Sequence, residues 1–284
     1  MIQFNKKTTL AAVLILFLLV SGILSGCAKK PGTAPNGQQG TQKEELSLVV
    51  YYFKMTQDDA YLVREVHQVP PTADAAKAAL EELINTNPTV PGAARVLPQA
   101  TKINSINIVN GTATVDFSRD VLNANVGASG ESLGIQSIVN TLTEFPEIKK
   151  VSFTVEGKVD EQTMDWWGHV GLYEQPFSRD LSIVYEPVIW LTSPKQDQKV
   201  GSPLEVSGSA RVFEAAVNIR LVDSTGKMIM EGFTTASEGA PGRGDFKYLL
   251  NFNAASPGKG ELEVFWTSPK DGKELDKVSV PVKW

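Results

Sequence analysis

The sequence INSINIVNGTATVDF, residues 103–117, contains the clearest structural signal in the chain. Two runs of alternating apolar and polar residues flank the dipeptide Asn110-Gly111. A two-residue type I′ turn needs positive φ at both central positions, and Asn followed by Gly tolerates this best. The pattern therefore predicts a β-hairpin, around which the sheet of a first domain is expected to form.

Strands and helices are predicted on both sides of this hairpin. Residues 46–53 (LSLVVYYF), 61–69 (YLVREVHQV) and 151–157 (VSFTVEG) are typical of strands. Apolar residues at helical spacing over 76–84 and 135–142 predict two amphipathic helices. The order β-β-α-β-β-α-β indicates a small α+β domain whose helices lie on one face of a sheet.

The pattern changes at Pro187. Residues 187–284 contain no helical stripe, and seven short apolar runs are separated by turn residues such as Asp271-Gly272. Such spacing predicts an all-β immunoglobulin-like sandwich, here without a disulfide. We assign residues 46–186 to the first domain, with a bridging loop at its end, and 187–284 to the second. The side chains expected to face inward in the sandwich are Val206, Val212, Ile219, Leu221, Leu249, Phe252, Leu262, Val264 and Trp266.

Residues 1–26 have the features of a signal peptide. Lys6 and Lys7 precede an apolar run at 10–24, which is shorter than the roughly 20 residues that a spanning helix needs. The run ends in Leu24-Ser25-Gly26-Cys27, which resembles the lipobox of bacterial lipoproteins. The resemblance implies that Cys27 receives a diacylglyceryl group and becomes the mature N-terminus. Two acyl chains satisfy the requirement for stable membrane attachment.

The cysteine count and the net charge limit the kinds of site and partner that the protein can have. Cys27 is the only cysteine, so the exported part has no disulfide and no thiolate metal site. Residues 27–45 lack large apolar side chains and are expected to form a flexible linker. Loss of Lys6 and Lys7 changes the net charge from −5 to −7, which argues against nucleic acid or anionic lipid as a bulk electrostatic partner.

One motif raises the alternative of a serine hydrolase. GESLG (130–134) fits the G-x-S-x-G nucleophile elbow, and Asp160 or Asp165 followed by His169 continues the order of a triad. The motif needs a buried strand before Ser132, whereas the preceding NANVGAS is a polar loop. A position at the N-terminal cap of the second helix is therefore favoured for Ser129 or Ser132.

Metal and cofactor chemistry find little support in the residue pattern. His67 and His169 are the only histidines, and no HExxH spacing occurs. His67 is expected at a surface or sheet edge. The sequence therefore predicts no catalytic residue, no metal ligand and no cofactor.

An aromatic segment has two interpretations. Trp166, Trp167, Tyr173 and Phe177 could line a groove for a peptide or a glycan. They could also fill the joint between the two domains, because aromatic residues dominate buried interfaces as well. The second interpretation is favoured, and burial of both indoles would support it.

Two stretches of the chain resemble known domain families. Residues 48–157 resemble the sporulation and spore germination domain GerMN, through LVVYYF, AAKAALEELI, VLPQATKINSINIVNGTATVDFS and IVNTLTEFPEIKKVSFTVEG. Residues 188–284 resemble the immunoglobulin-like domain of bacterial spore germination, through SPKQDQKVGSPLEVSGSARVFEAAVNIRLVDSTG, GDFKYLLNF and VFWTSPKDGKELDKVSVPVKW.

The resemblance brings no catalytic residue set and implies adhesive or ring-building modules of envelope complexes. We therefore expect a membrane-anchored, extracytoplasmic lipoprotein that acts as a non-catalytic scaffold in sporulation, spore germination or a related envelope complex. Its expected partners are the membrane, through the N-terminal lipid, and other envelope proteins or a second copy. A lipoprotein that binds peptidoglycan or a small ligand is the main alternative, and a hydrolase using Ser132 is the third.

Overall fold

The computed structural model describes residues 45–253 and 256–284. The signal peptide, the lipobox Leu24-Ser25-Gly26-Cys27 and all but the last residue of the predicted linker lie outside the described residues. Residues Glu44–Trp284 form one compact unit, which includes both predicted domains. Within the described ranges, no helix has the length and apolar character needed to cross a membrane.

The first domain contains three helices and eight strands. In chain order they are β1 (Leu46–Met55), β2 (Ala60–Val69), α1 (Ala75–Asn85), β3 (Ala93–Ala94), β4 (Ile103–Val109), β5 (Thr112–Phe117), α2 (Ala128–Leu142), β6 (Lys150–Val155), α3 (Glu161–Met164), β7 (Phe177–Ser178) and β8 (Val184–Glu186). The α+β prediction is confirmed, and the segment expected to be a bridging loop, residues 165–186, supplies β7 and β8.

The predicted hairpin is confirmed as the pair β4–β5. Val109 lies opposite Thr112, and the turn residues Asn110 and Gly111 have φ of 49° and 79°. Both values lie in the left-handed region that a type I′ turn requires. β5 then pairs with β6 in parallel, and the sheet has the order β4-β5-β6-β7.

The expectation of one sheet with helices on one face is wrong. A second four-stranded sheet has the order β3-β1-β2-β8, and α2 contacts strands of both sheets. The reason lies at the outer edge of β1, where Tyr51 has no strand partner on that side. Ser137 on α2 donates to the backbone oxygen of Tyr51 at 2.6 Å, and the N–H of Tyr51 donates to Thr141 Oγ1 at 3.2 Å. Helix α2 therefore occupies the edge of this sheet and satisfies backbone groups that need partners.

The second domain is a sandwich of two sheets. Its strands are β9 (Ile189–Ser193), β10 (Gln198–Lys199), β11 (Leu204–Ala210), β12 (Ala216–Asp223), β13 (Met228–Thr235), β14 (Gly244–Leu250), β15 (Lys259–Thr267) and β16 (Glu274–Lys283). One sheet has the order β14-β11-β9 and the other β10-β16-β15-β12-β13. The seven predicted strands are confirmed, with the short β10 in addition.

The predicted core of the sandwich is confirmed with one exception. Most of the expected side chains are buried, and the partly buried Trp266 packs against them. Leu249, however, is 51% exposed, and Leu250 is buried in its place. Successive strand side chains point to opposite faces, so only one of two adjacent leucines can face the core.

Candidate functional site

The joint between the two domains is formed around Trp190, the second residue of β9. This side chain is 7% exposed and packs against Tyr51, Leu62 and Val184 of the first domain. Alternation along β1 makes this possible, because Val50 and Tyr52 belong to the first-domain core while Tyr51 lies between them. The Tyr51 and Trp190 rings meet edge to face, with centroids 6.3 Å apart.

Two guanidinium groups lie over the Trp190 ring. The Cζ atoms of Arg64 and Arg243 are 4.8 and 4.0 Å from the ring centroid. Such cation–π contacts strengthen when they are shielded from water. Burial lowers the pKa of Arg243 to about 10, so the side chain stays charged at neutral pH. The joint is therefore built from one indole and a cation from each domain.

Arginine side chains also hold the segment that connects the domains. Arg243 donates to the backbone oxygen of Pro187 at 2.7 Å and to that of Val188 at 3.2 Å. Arg211 stacks on the Tyr185 ring, with its Cζ 3.8 Å from the centroid. Arg243 lies directly before Gly244, the first residue of β14, and thus contacts the connecting segment from the start of that strand.

A polar cluster extends the joint along β1. The Tyr51 hydroxyl donates to Glu144 Oε1 at 2.5 Å, and Arg179 donates to both groups. Burial, and then the nearby Glu144 carboxylate, raise the pKa of Tyr51. The phenol therefore stays protonated and acts as a donor.

Two open cavities flank the joint, and Arg64 lines both. One has a volume of about 580 Å³ and is bounded by Glu65, Glu186 and Lys277 among others. The other has a volume of about 400 Å³, with Leu181 and Trp190 in its lining. Within the part of the chain that the structure describes, the buried Nε of Arg64 has no hydrogen-bond partner. The same holds for the Nε atom of Arg243 and the Nε1 atom of Trp190, so Arg64 differs from them in lining both cavities.

The aromatic segment singled out in the sequence does not form one surface. Trp166 is 0% exposed and packs between Phe117 and Phe153, at centroid distances of 6.2 and 5.4 Å. It lies in the core of the first domain, so it neither lines a groove nor fills the joint. Trp167 is partly buried beside it, and its Nε1 donates to the backbone oxygen of Val121 at 2.6 Å.

The other two aromatic residues differ in burial. Phe177 lies on β7 and is partly buried, with its ring 6.0 Å from that of Phe153. Tyr173 is 67% exposed. The interdomain aromatic residue is instead Trp190, which the pattern had placed in a sandwich strand. The sequence signal that could have identified it is a tryptophan on β9, the first strand after the domain boundary at Pro187.

The hydrolase triad is not assembled. Ser132 lies inside α2, which begins at Ala128 with Gly127 as its cap, and its side chain is exposed. His169 Nδ1 lies 2.5 Å from Glu131 Oε1, the neighbour of Ser132. Asp160 caps α3 by accepting from the N–H of Thr163 at 3.0 Å. The expected cap role of Ser129 or Ser132 is also wrong, because Gly127 is the cap and no side chain makes a capping hydrogen bond there.

Buried carboxylates are the groups that sequence reasoning missed. Glu65 accepts hydrogen bonds from the N–H groups of Val90 and Thr89, at 2.8 and 2.9 Å. Burial opposes ionisation of Glu65, but these donors outweigh it and lower its pKa. His67 is not at the surface: its ring nitrogens lie 3.0 Å from Glu65 and 2.8 Å from Glu82. In the described ranges, no group of three or more potential ligands is arranged to hold a metal.

Comparison with known proteins identifies a domain family for each of the two domains. Residues 49–161 match the sporulation and spore germination family, and residues 188–273 match the immunoglobulin-like domain of bacterial spore germination. The chain carries a GerMN domain followed by an immunoglobulin-like domain of bacterial spore germination. The joint around Trp190 thus connects the GerMN domain to its partner domain.

The chain is similar to a curated spore germination protein and to solved GerMN domains. Spore germination protein GerM from Bacillus subtilis (strain 168) is 32% identical over 115 residues, which cover 39% of this chain and 31% of GerM. The solved tandem GerMN domains of that protein are 30% identical, covering 49% of this chain and 46% of the other, with a TM-score of 0.39. Its first GerMN domain alone is 27% identical, covering 47% and 98%, with a TM-score of 0.40.

The chain thus spans about a third of the curated relative that it matches. The two domain families and this relative support a role in sporulation or spore germination.

Proposed function

We propose that the chain is a lipoprotein that presents its two domains outside the membrane as a non-catalytic interaction module in sporulation or spore germination. The observation that carries this proposal is the joint around Trp190, because it joins the domains in one compact unit. A scaffold needs binding surfaces held at a constant distance and angle. A buried indole with a cation from each domain suits that purpose.

The use of the buried charged groups supports a non-catalytic role. Glu65 anchors the loop at Thr89 and Val90, and Glu131 accepts from the N–H groups of His169 and Val170 at 2.8 and 3.0 Å. Each buried carboxylate thus has an internal structural task. Glu65 borders the 580 Å³ cavity, but both of its carboxylate oxygens are engaged by Thr89, Val90 and His67, so neither is free to act on a ligand.

Attachment through Cys27 rests on the lipobox, since the described residues begin after it. A Cys27→Ala variant of the full chain is expected to lose incorporation of radiolabelled palmitate and to leave the membrane fraction. A Ser25→Ala variant, which keeps a small residue before the cysteine, is the matched control. Palmitate labelling that persists in Cys27→Ala would refute the anchor.

The interaction role is tested by site-specific photocrosslinking in intact sporulating cells. Phe233 on the outermost strand β13 is 71% exposed, and Met228 and Leu249 nearby in the fold are more than half exposed. Exposed apolar residues on edge strands are typical of protein interfaces. A photoreactive residue at 233 is expected to capture an envelope protein or a second copy. Failure at 233 and at the exposed control position 173, with the protein present and folded, would sink the scaffold proposal.

A second candidate function, ligand binding, is favoured by one observation. Arg64 lines two cavities and has a buried Nε without a partner among the described residues. Its guanidinium suits a carboxylate, such as those of peptidoglycan stem peptides. Co-sedimentation with purified cell wall should then weaken in Arg64→Gln and persist in Arg95→Gln. Equal sedimentation of both variants would exclude this role.

A further inference from the structure

Three lysines lie side by side at one end of the immunoglobulin-like domain. Lys283 on β16 is directly opposite Lys199 on β10 and directly opposite Lys259 on β15. All three are exposed. Adjacent strands are about 4.8 Å apart, and like charges directly opposite each other destabilise a sheet. This lysine row therefore carries a cost for folding, which calls for another explanation.

The protein neutralises this row only in part. Lys283 forms an ion pair with Asp197 at 2.9 Å, and both side chains are more than half exposed. Among the residues that the structure describes, Lys199 and Lys259 form no ion pair. Only Lys283 of the three has an ion-pair partner among the described residues, which leaves the other two ammonium groups available to an external anion.

An aromatic residue completes the site. Trp284 follows Lys283, and its backbone exchanges two hydrogen bonds with Gly258, at 2.8 and 3.0 Å. A Cβ on Gly258 would lie 2.5 Å from the indole, so only glycine allows this contact. The indole is partly exposed and packs edge to face on Phe252, with centroids 5.7 Å apart. It is therefore held in place beside the ammonium groups.

The lysine row and Trp284 border one open cavity. Its volume is about 500 Å³, and its lining is completed by Pro257 and Gly258. The lining thus combines the positive charge of the lysine row with an apolar surface formed by Pro257 and Trp284, the apolar floor. Indoles favour the boundary between lipid and water, and lysines bind lipid phosphates with their apolar stems along the surface.

The site lies at the end of the sandwich far from the joint. Arg211, just after β11, bonds to Val188 at the joint end, whereas β9 runs from Ile189 away to Ser193. The turn after β9 leads to Asp197, whose N–H bonds to Pro281 close to the lysine row. A contact made by this end therefore leaves the joint and the GerMN domain unobstructed.

We propose that the row Lys199–Lys283–Lys259, together with Trp284, docks on the phosphate headgroups of an anionic phospholipid bilayer. The net charge of −7 expected for the mature chain opposes a general attraction to such a surface. The contact is thus local and depends on these three cations. The apolar floor favours a lipid surface over free phosphate or a phosphate polymer, neither of which offers an apolar layer to the indole.

The test uses residues 27–284 with Cys27→Ala, which removes the lipid and retains the whole compact unit Glu44–Trp284. This protein is sedimented with vesicles of phosphatidylcholine alone and of phosphatidylcholine mixed with phosphatidylglycerol. Binding only to the anionic vesicles, reduced by added salt, is the expected result. Replacement of the three row lysines by Gln should weaken binding by tenfold or more, on the order of that expected from losing three surface cations.

The matched control replaces three exposed lysines elsewhere, Lys102, Lys247 and Lys273, by Gln. It changes the net charge equally, so it should bind as the parent protein does. The row variant should unfold at the same or a higher temperature, because it removes like-charge repulsion. An unchanged unfolding temperature excludes misfolding as the cause of lost binding. Equal binding of the two triple variants, or capture by immobilised polyphosphate without binding to vesicles, would overturn the proposal.

Discussion

Thr141 on α2 accepts a hydrogen bond from the backbone N–H of Tyr51 on β1, and both residues are fully buried. The hydroxyl stands where a neighbouring strand would offer a carbonyl. Thr141→Val keeps the shape and removes the acceptor, so the N–H is left buried without a partner. We expect the free energy of unfolding to fall by about 1–3 kcal/mol, measured by urea denaturation.

Thr143→Val is the control for that experiment. The Thr143 hydroxyl donates to the backbone oxygen of Val139 within the same helix, so its loss should change stability by less than about 0.5 kcal/mol. Equal effects of the two variants would show that the edge contact on β1 contributes nothing.

The second prediction concerns Glu131. Its buried carboxylate accepts the N–H groups of His169 and Val170, so Glu131→Gln replaces one acceptor oxygen by a donor. We expect a loss of about 1.5–3 kcal/mol in the free energy of unfolding, and faster proteolysis of the segment after α3. The exposed Glu174→Gln should match the parent protein in both measurements, and unchanged proteolysis of the Glu131 variant would contradict the assignment.

The third prediction is a pH dependence. Because the pKa of Glu65 is lower in the folded protein than its ordinary value of 4.5, the unfolded chain binds the proton more tightly. Its stabilising contribution is complete above that ordinary value and is lost as the pH falls below it. The difference in unfolding free energy between the parent and Glu65→Gln should therefore be large at neutral pH and shrink as the pH falls below 4.5. A constant difference across this range would refute the role of the ionised carboxylate.

The fourth prediction addresses the joint. Trp190→Ala removes the indole that Arg64, Arg243 and Tyr51 contact, and should destabilise the protein by about 3–5 kcal/mol. Limited proteolysis should then cut the connecting residues 182–188. Trp284→Ala, at the end of the same domain far from the joint, should leave this segment resistant. Cleavage at the same rate in both variants would argue against a joint held by Trp190.

Local chemistry explains what could be predicted from the sequence. The Asn110-Gly111 turn depends on two residues alone, and the strands of the sandwich follow from alternation and turn residues, so both were found. The role of α2 could not be found this way. It depends on a contact between Tyr51 and Thr141, 90 residues apart, and periodicity carries no information on which edge a helix covers.

In the candidate site, too, local features could be predicted from the sequence and long-range contacts could not. The aromatic pair Trp166-Trp167 was noticed because the residues are adjacent, yet adjacency does not say which core they join. Trp190 was not noticed, because its two guanidinium partners are distant in sequence. The signal peptide and Cys27 lie outside the described residues, so the lipid anchor remains a prediction from the lipobox.

The order β3-β1-β2-β8 has a mechanical consequence. The described chain enters this sheet through β1 and leaves it toward the second domain through β8, and these two strands pair with opposite sides of β2. Tension applied between Leu46 and Pro187 is thus carried across β2 by two rows of hydrogen bonds. A force that pulls on the second domain would therefore act on both of these strand pairs at once, and neither β1 nor β8 could leave the sheet without breaking its hydrogen bonds to β2.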